Sequence, residues 1–550
     1  MRTSPQLTTL LLAATLAAVL AACAGASTGA PSASAPSDAD HGKSSPTMSS
    51  PAEYGERPIS AEAGADYFLV TGGGDPYATG LAYPIFLALM EAYPEELGRD
   101  WNEFADKFGL IPDPAKKGDP RSPPIGFHLT IDPNTNVPWL VANCQLCHAE
   151  RLRLETGDVV VAGLGNKRVR AHAYADALVR IGTDPRLEGG RITQLATQRA
   201  KAWSVPWPEN VRRPIVDATL APFRTSSALR AAAVKRLGAA LPGRIATIES
   251  FAIAFNEQRL RDPRSEPPDG ERVSRESRDQ TTITTPEAIG WTKIPDVRSF
   301  PYRDTFSYDG SGYGSPQALV LDADFVFGAR PEWYVSHPHI ATSTYLYLKS
   351  FSRSLPFPKP VDAPLATRGK ALFDSRCARC HGFYVDHGDE MRVSYRERVV
   401  PKDVIGTDPV RADAVSPSFV AAANAVPLTR GHARVKNTGG YVPPVLLDVW
   451  ARGLYGHAGQ WPSLEALATP PAERPRAFIV DTDGLYDLER VGVRYEVVKT
   501  GATRRPLKRS EYLYEGDKPG FRVEGHTFLS DLAAPDRRAV IEYLKTLSTR

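Results

Sequence analysis

Two pentapeptides constrain this chain more than anything else in it: Cys144-Gln145-Leu146-Cys147-His148 and Cys377-Ala378-Arg379-Cys380-His381. With so few Cys and His available, one C-x-x-C-H run arises by chance in roughly one chain in a thousand, and two far more rarely. The spacing sets two thiols on a single helical turn with an imidazole directly behind them. That is the pattern of covalent c-type haem, in which the sulfurs add to the vinyl groups and the histidine turns to the iron. Cys144, Cys147, Cys377 and Cys380 are therefore read as attachment residues, His148 and His381 as proximal ligands, and two covalently bound c-type haems (iron) as the cofactors. A zinc half-site wants a second pair of ligands, and Cys23 is the sole cysteine left over. A redox dithiol has no need of a histidine after it, twice.

Cys23 has its own use. Arg2 is followed by an apolar run through Leu10, Leu11, Leu12, Leu16 and Leu20, then Ala21-Ala22-Cys23. Residues 1–22 read as a secretory signal ending like a bacterial lipobox, with lipidation at Cys23. Residues 23–58 are rich in Ser, Ala, Pro and Gly and too poor in apolar side chains to pack, so they read as a disordered tether. The expected location is the bacterial cell envelope, periplasm or cell surface, lipid-anchored to a membrane. Such export agrees with c-type attachment, which occurs outside the bacterial cytoplasm.

At 550 residues the chain exceeds what one core usually organises. Tyr347 to Phe351 and Tyr543 to Leu547 echo one another at the ends of two helix-like stretches. Between them Pro356, Pro358 and Pro360 forbid helix and make a stiff connector. The expected division is an N-terminal haem domain over 59–355, a Pro-rich linker over 356–363 and a C-terminal cytochrome c-like haem domain over 364–550. The expected fold class is mainly α, two cytochrome c-like haem domains with long loop-rich insertions. Helices are expected at Tyr83 to Ala92, Trp101 to Phe108 and Arg168 to Arg180. In the last helix Pro535 and Asp536 suit the first turn, while Val540, Ile541, Leu544 and Leu547 share a face. The run Ala366 to Phe373 before the second motif resembles the N-terminal helix of cytochrome c, in which a Gly allows close crossing with an aromatic residue on the terminal helix; Gly369, Phe373 and Tyr543 fit those places. The charged run from Arg259 to Glu287 reads as a solvated loop, and the net charge of +3 gives no reason to expect nucleic acid.

The sixth ligand separates electron transfer from chemistry, because an iron closed on both sides shuttles electrons while an open one binds peroxide or dioxygen. Methionine is nearly excluded: Met1 lies in the signal, Met48 in the tether, Met90 before the first motif, and Met391 ten residues past His381. For the second haem His526, just before the terminal helix, is the leading candidate. His457 is the contender, or a group that supports the haem edge. For the first haem His172, His128, His337 and His339 remain open, and Trp291, Phe300, Tyr302, Phe306 and Tyr308 could line an apolar pocket or simply pack.

The chain resembles the bacterial di-haem cytochrome c peroxidase superfamily, and within it the di-haem rubber-oxygenase branch. The likeness is carried by Gly369 to Phe373 ahead of the second motif, Tyr441 to Trp450, the turn Tyr455-Gly456-His457-Ala458-Gly459, Arg474 to Phe478, and Gly525-His526. It covers most of residues 360 to 550 and, more weakly, Phe108 to Gly165. The resemblance implies two communicating haems, one accepting electrons and one where peroxide or dioxygen reacts. Peroxidases of this group place Met at the second haem, where this chain offers His526, as the rubber-oxygenase branch does; that lowers the second haem's potential. The Trp that relays electrons two residues before the second motif is Ser375 here. The leading expectation is thus an exported redox enzyme, peroxidase or oxygenase. The alternative is a membrane-tethered electron-transfer cytochrome without its own substrate. Expected partners are a redox protein or small electron donor, with peroxide, dioxygen or an organic molecule as substrate.

Overall fold

The computed structural model describes residues 52–116, 119–238, 240–253, 288–315, 333, 336–425, 433–499 and 505–549. The signal, Cys23, nearly all of the tether and the charged run from Arg259 to Glu287 lie outside the described residues.

The first half packs helices on a small sheet. Tyr83–Ala92 is buried on all sides as far as Met90, so it forms the centre of the cluster. Trp101–Phe108 buries Trp101, Phe104, Ala105 and Phe108 at helical spacing. Asp100 caps it by accepting from the Asn102 and Glu103 amides, both at 2.9 Å, and Gly109 at φ 67° ends it. Phe86 stacks on Trp101 with ring centres 5.0 Å apart. Helices Ala171–Thr183, Gly189–Ala202 and Glu209–Leu237 complete this layer. Strand Pro138–Ala142 runs between Leu81–Ala82 and Phe127–Ile131, antiparallel to both, and delivers the chain directly to Cys144.

In the second half, helix Ala363–Arg376 crosses helix Ala534–Lys545. Gly369 sits at the crossing, where a Cβ would run into the Ala539 carbonyl, and Phe373 meets Tyr543 with ring centres 5.2 Å apart. The expectation for these three residues therefore holds.

The expectation of a mainly α fold does not. Helix makes up 42% of the structure and strand 16%, in many small antiparallel sheets. Strand Ala477–Asp481 is flanked by Tyr495–Val497 and Glu511–Glu515, and hairpins such as Ala149–Leu154 with Gly157–Ala162 fill the ground between helices. The physical reason lies in the insertions. Segments such as Ala477-Phe478-Ile479-Val480 are β-branched and aromatic, buried on both faces, and satisfy their backbone groups in short ladders rather than in loops.

Apolar residues mix across the proline-rich connector. Leu152, Leu154, Val161 and Leu164 pack with Phe373, Trp450 and Tyr543. Ala414, Val415, Phe419 and Ala423 join the first-half core, and strand Gly312–Gly314 pairs with Ala433–Val435. A buried clasp closes the junction. Arg298 Nε is 2.7 Å from the Asp448 carboxylate, and Arg298 also donates to the Arg353 carbonyl and, at 2.7 Å, to Thr549 Oγ1. The Thr549 amide donates to Asp448 at 2.8 Å, so the last residues of the chain are part of the clasp.

Candidate metal centres

Each C-x-x-C-H run is a single helical turn. The His148 amide donates to the Cys144 carbonyl at 2.8 Å and the His381 amide to the Cys377 carbonyl at 2.9 Å, which brings both thiols and the imidazole to one side. All four cysteines are unbridged. Burial pushes the Cys147 and Cys377 thiols up to about 12. A thiol held neutral in this way is the opposite of a reactive redox dithiol, whose thiolate has to be favoured.

The histidines are oriented alike. His148 Nδ1 lies 3.1 Å from the Pro295 carbonyl oxygen, and His381 Nδ1 lies 2.8 Å from that of Pro444. A carbonyl can only accept, so Nδ1 carries the proton in each ring and the lone pair falls on Nε2, the tautomer of a metal ligand. Burial pulls His148 down to about 4 and lowers His381 as well, which keeps both imidazoles neutral.

The two centres differ in what lies beyond the ring. His381 has His526 at a ring-centre distance of 6.2 Å. Two imidazoles bound to one metal from opposite sides, each through a bond of about 2 Å, have ring centres about 6.3 Å apart. His526 is held there at a cost. Its φ of 46° is left-handed, a strain of about 1–2 kcal/mol for a residue with a Cβ. Gly525, at φ 85°, passes so close to Gly406 that a Cβ would strike its carbonyl. Arg474 secures the turn by donating to the carbonyls of Val523 at 2.8 Å, Gly525 at 2.6 Å and His526 at 3.3 Å. His526 Nδ1 is buried with no hydrogen-bond partner, and burial first, then His381 and Arg474, pull the group down to about 3. The strained turn, clamped by Arg474, holds the His526 ring at this distance from His381.

His148 instead has Phe68 at 6.3 Å, on the π-helical turn Tyr67–Thr71. Phe68, Val297, Phe300, Phe306, Tyr347, Leu348 and Phe351 form one apolar cluster, against which Cys144 packs. A phenyl ring has no lone pair to offer a metal. Phe300 and Phe306, named from the sequence, belong to this apolar cluster. A cavity of about 260 Å³ is lined by Phe351, Met391 and Leu447 together with Arg298, Lys349 and Glu390, so both basic and acidic groups border it.

The other histidines keep different company. His172 Nε2 accepts from the Ala246 amide at 3.2 Å, and its ring meets Trp291 edge-on at 5.1 Å. His457 stacks on Tyr441 at 4.5 Å with Gln460 beside it. Burial pulls both down to about 3. His128 lies 3.3 Å from Glu53, His337 stacks on Trp333 at 3.8 Å, and His339 lies 6.3 Å from Tyr67. Among the described residues no group of three or more His, Cys, Asp or Glu side chains could hold a bare metal ion. The spacing of His381 and His526 would suit a haem, which brings further ligands of its own.

Phe68, Pro295, Pro444 and Arg474 were not singled out in these roles from sequence. Arg474 and Pro444 lie inside segments that carried the resemblance, which was the available signal; Phe68 and Pro295 had none.

No family model matches the chain. Two proteins of Sinorhizobium fredii are similar to parts of it, both described as uncharacterized. Protein y4iJ is 26% identical over 246 residues, 34% of this chain and 39% of its own length. Protein y4iM is 30% identical over 229 residues, 34% of this chain and 50% of its own length. The chain thus spans half or less of the curated relatives it matches.

Proposed function

We propose that this protein is a di-haem redox enzyme of the peroxidase or oxygenase type, with the His148 centre reactive and the His381 and His526 centre storing electrons. The observation that carries the reading is the contrast in the second neighbour of each proximal histidine: an imidazole at 6.2 Å in one case, a phenyl ring at 6.3 Å in the other. Haem would supply a one-electron couple where two imidazoles close the iron, and a site for peroxide or dioxygen where one face is left to a small molecule.

The chain's own residues do the rest. Cys144, Cys147, Cys377 and Cys380 anchor the two groups, and the Pro295 and Pro444 carbonyls fix the imidazoles in the binding tautomer. Phe68, Phe300, Phe306 and Phe351 keep water from the first centre, which favours an organic or uncharged reactant there. Arg474 holds His526 against the relaxation its backbone would otherwise undergo. Export and lipid anchoring at Cys23 belong to the same proposal. Among the described residues no helix is long and apolar enough to cross a membrane.

The test is the resting EPR and optical spectrum of a soluble form truncated after Cys23, before and after cyanide or peroxide. One high-spin signal, abolished by the ligand, supports the enzyme. Two low-spin, ligand-inert centres in both oxidation states would return the protein to the electron carrier class.

A further inference from the structure

The two proximal histidines are joined through the protein by one buried ion pair. The Pro295 carbonyl, which accepts from His148 Nδ1, belongs to the peptide that leads into Asp296. The Asp296 carboxylate is 3.3 Å from Nε of Arg452, with side-chain exposures of only 9% and 6%. Arg452 Nη2 in turn donates to the carbonyls of Val445 at 2.7 Å and Leu447 at 2.9 Å. Val445 is bonded to Pro444, whose carbonyl accepts from His381 Nδ1. Two side chains therefore span the gap between the peptide that orients one imidazole and the peptide that orients the other.

Stability alone does not account for such a pair. Removing two charges from water costs several kcal/mol per ion, and apolar side chains of equal volume often do as well. The neighbouring buried pair, Arg298 with Asp448, ends on Arg353 and Thr549 and touches neither histidine-holding peptide. The neighbouring Lys167 is engaged with Glu150 at 3.3 Å.

We infer that Asp296 and Arg452 are positioning residues that couple the two centres, so that a change of charge at one alters the hydrogen bond on the proximal imidazole of the other. The inference rests on the di-haem reading. A more positive metal draws electron density from its imidazole and strengthens the Nδ1 hydrogen bond to the carbonyl behind it. In a dry interior hydrogen-bonded groups polarise their neighbours, and across the Asp296–Arg452 contact, an ion pair in which Nε makes no hydrogen bond, the coupling passes by charge. The two potentials are then interdependent, and each ligand geometry reports the state of the other centre.

The experiment uses the mature, haem-loaded protein and the variants Asp296→Asn, Arg452→Lys and Arg452→Met. Bound haem is counted by mass spectrometry, and each centre is followed by EPR and by redox titration. Asp296→Asn, on the first centre's side, is expected to shift the signals and midpoint potential of the His381 centre as well as its own. Arg452→Met is expected to shift both centres, and Arg452→Lys to restore most of that shift. Should Arg452→Met fail to fold, the nearly isosteric Asp296→Asn decides alone. Two bound haems with a change confined to the nearer centre, or with none, overturn the coupling and leave the di-haem reading standing. A wild-type protein without haem removes both.

Discussion

His148 and His381 are prepared in the same way and then given opposite neighbours. Each stands at the end of one helical turn, with Nδ1 tied to a proline carbonyl at 3.1 and 2.8 Å respectively. Beyond that turn the protein spends its strain differently. Near His381 a left-handed histidine is forced into place behind a glycine and clamped by an arginine. Near His148 a π-helical turn, a feature that often marks functional sites, brings up a phenyl ring among other aromatics. The turn that carries each histidine and its proline carbonyl is thus a repeated local device. What makes the two unequal is a single short segment at each, remote in sequence from the motif it serves.

The largest expected effect comes from removing one device altogether. Cys377→Ala with Cys380→Ala should leave a protein with one haem in place of two, visible as the loss of one haem mass. Retention of both would mean that the second pair is not an attachment site.

Exchanging the neighbours is the sharper test. His526→Phe should turn the second centre high-spin and open to cyanide, and Phe68→His should turn the first low-spin and inert. A first centre that still binds cyanide in Phe68→His would show that Phe68 does not stand on the open face.

A smaller effect concerns the scaffold. Gly369→Val forces a side chain against the Ala539 backbone and should destabilise the second half by about 2–3 kcal/mol in urea unfolding. The first centre's spectrum should survive to higher urea than the second's, and simultaneous loss would show that the halves unfold as one.

The smallest effect is a matter of pH. His172 is held down to about 3 from its ordinary 6.5 by burial, so in that interval the unfolded chain binds a proton that the fold does not. Its contribution is complete above about pH 6.5 and is lost as pH falls, with a slope of up to about 1.4 kcal/mol per pH unit. His172→Gln keeps an acceptor for the Ala246 amide and should flatten stability between pH 6.5 and 4 by up to that slope. An unchanged slope would mean that the ring already finds a proton in the fold.

How far sequence reasoning reached follows from the range of each interaction. The motifs, the crossing at Gly369 and the proximity of His526 to His381 were legible because each depends on residue types at fixed places on a helix or just before one. Helices Tyr83–Ala92 and Trp101–Phe108 were legible from unbroken or periodic apolar runs. The sheet around Ala477–Asp481 was not, because its partners are three and five residues long and their register depends on contacts across loops. Nor was the approach of Phe68 to His148, or of Asp296 to Arg452, since aromatic and charged residues are common and nothing local distinguishes the pair that meets. Carbonyl partners such as Pro295 leave no side-chain signature at all.

The clasp of Arg298, Asp448 and Thr549 sets a clock. Thr549 follows Cys147 by roughly 400 residues, so Arg298 cannot be fully paired until that stretch of chain has been delivered to it. On the di-haem proposal, a group bound for Cys144 and Cys147 can reach them before Thr549 arrives to lock the junction.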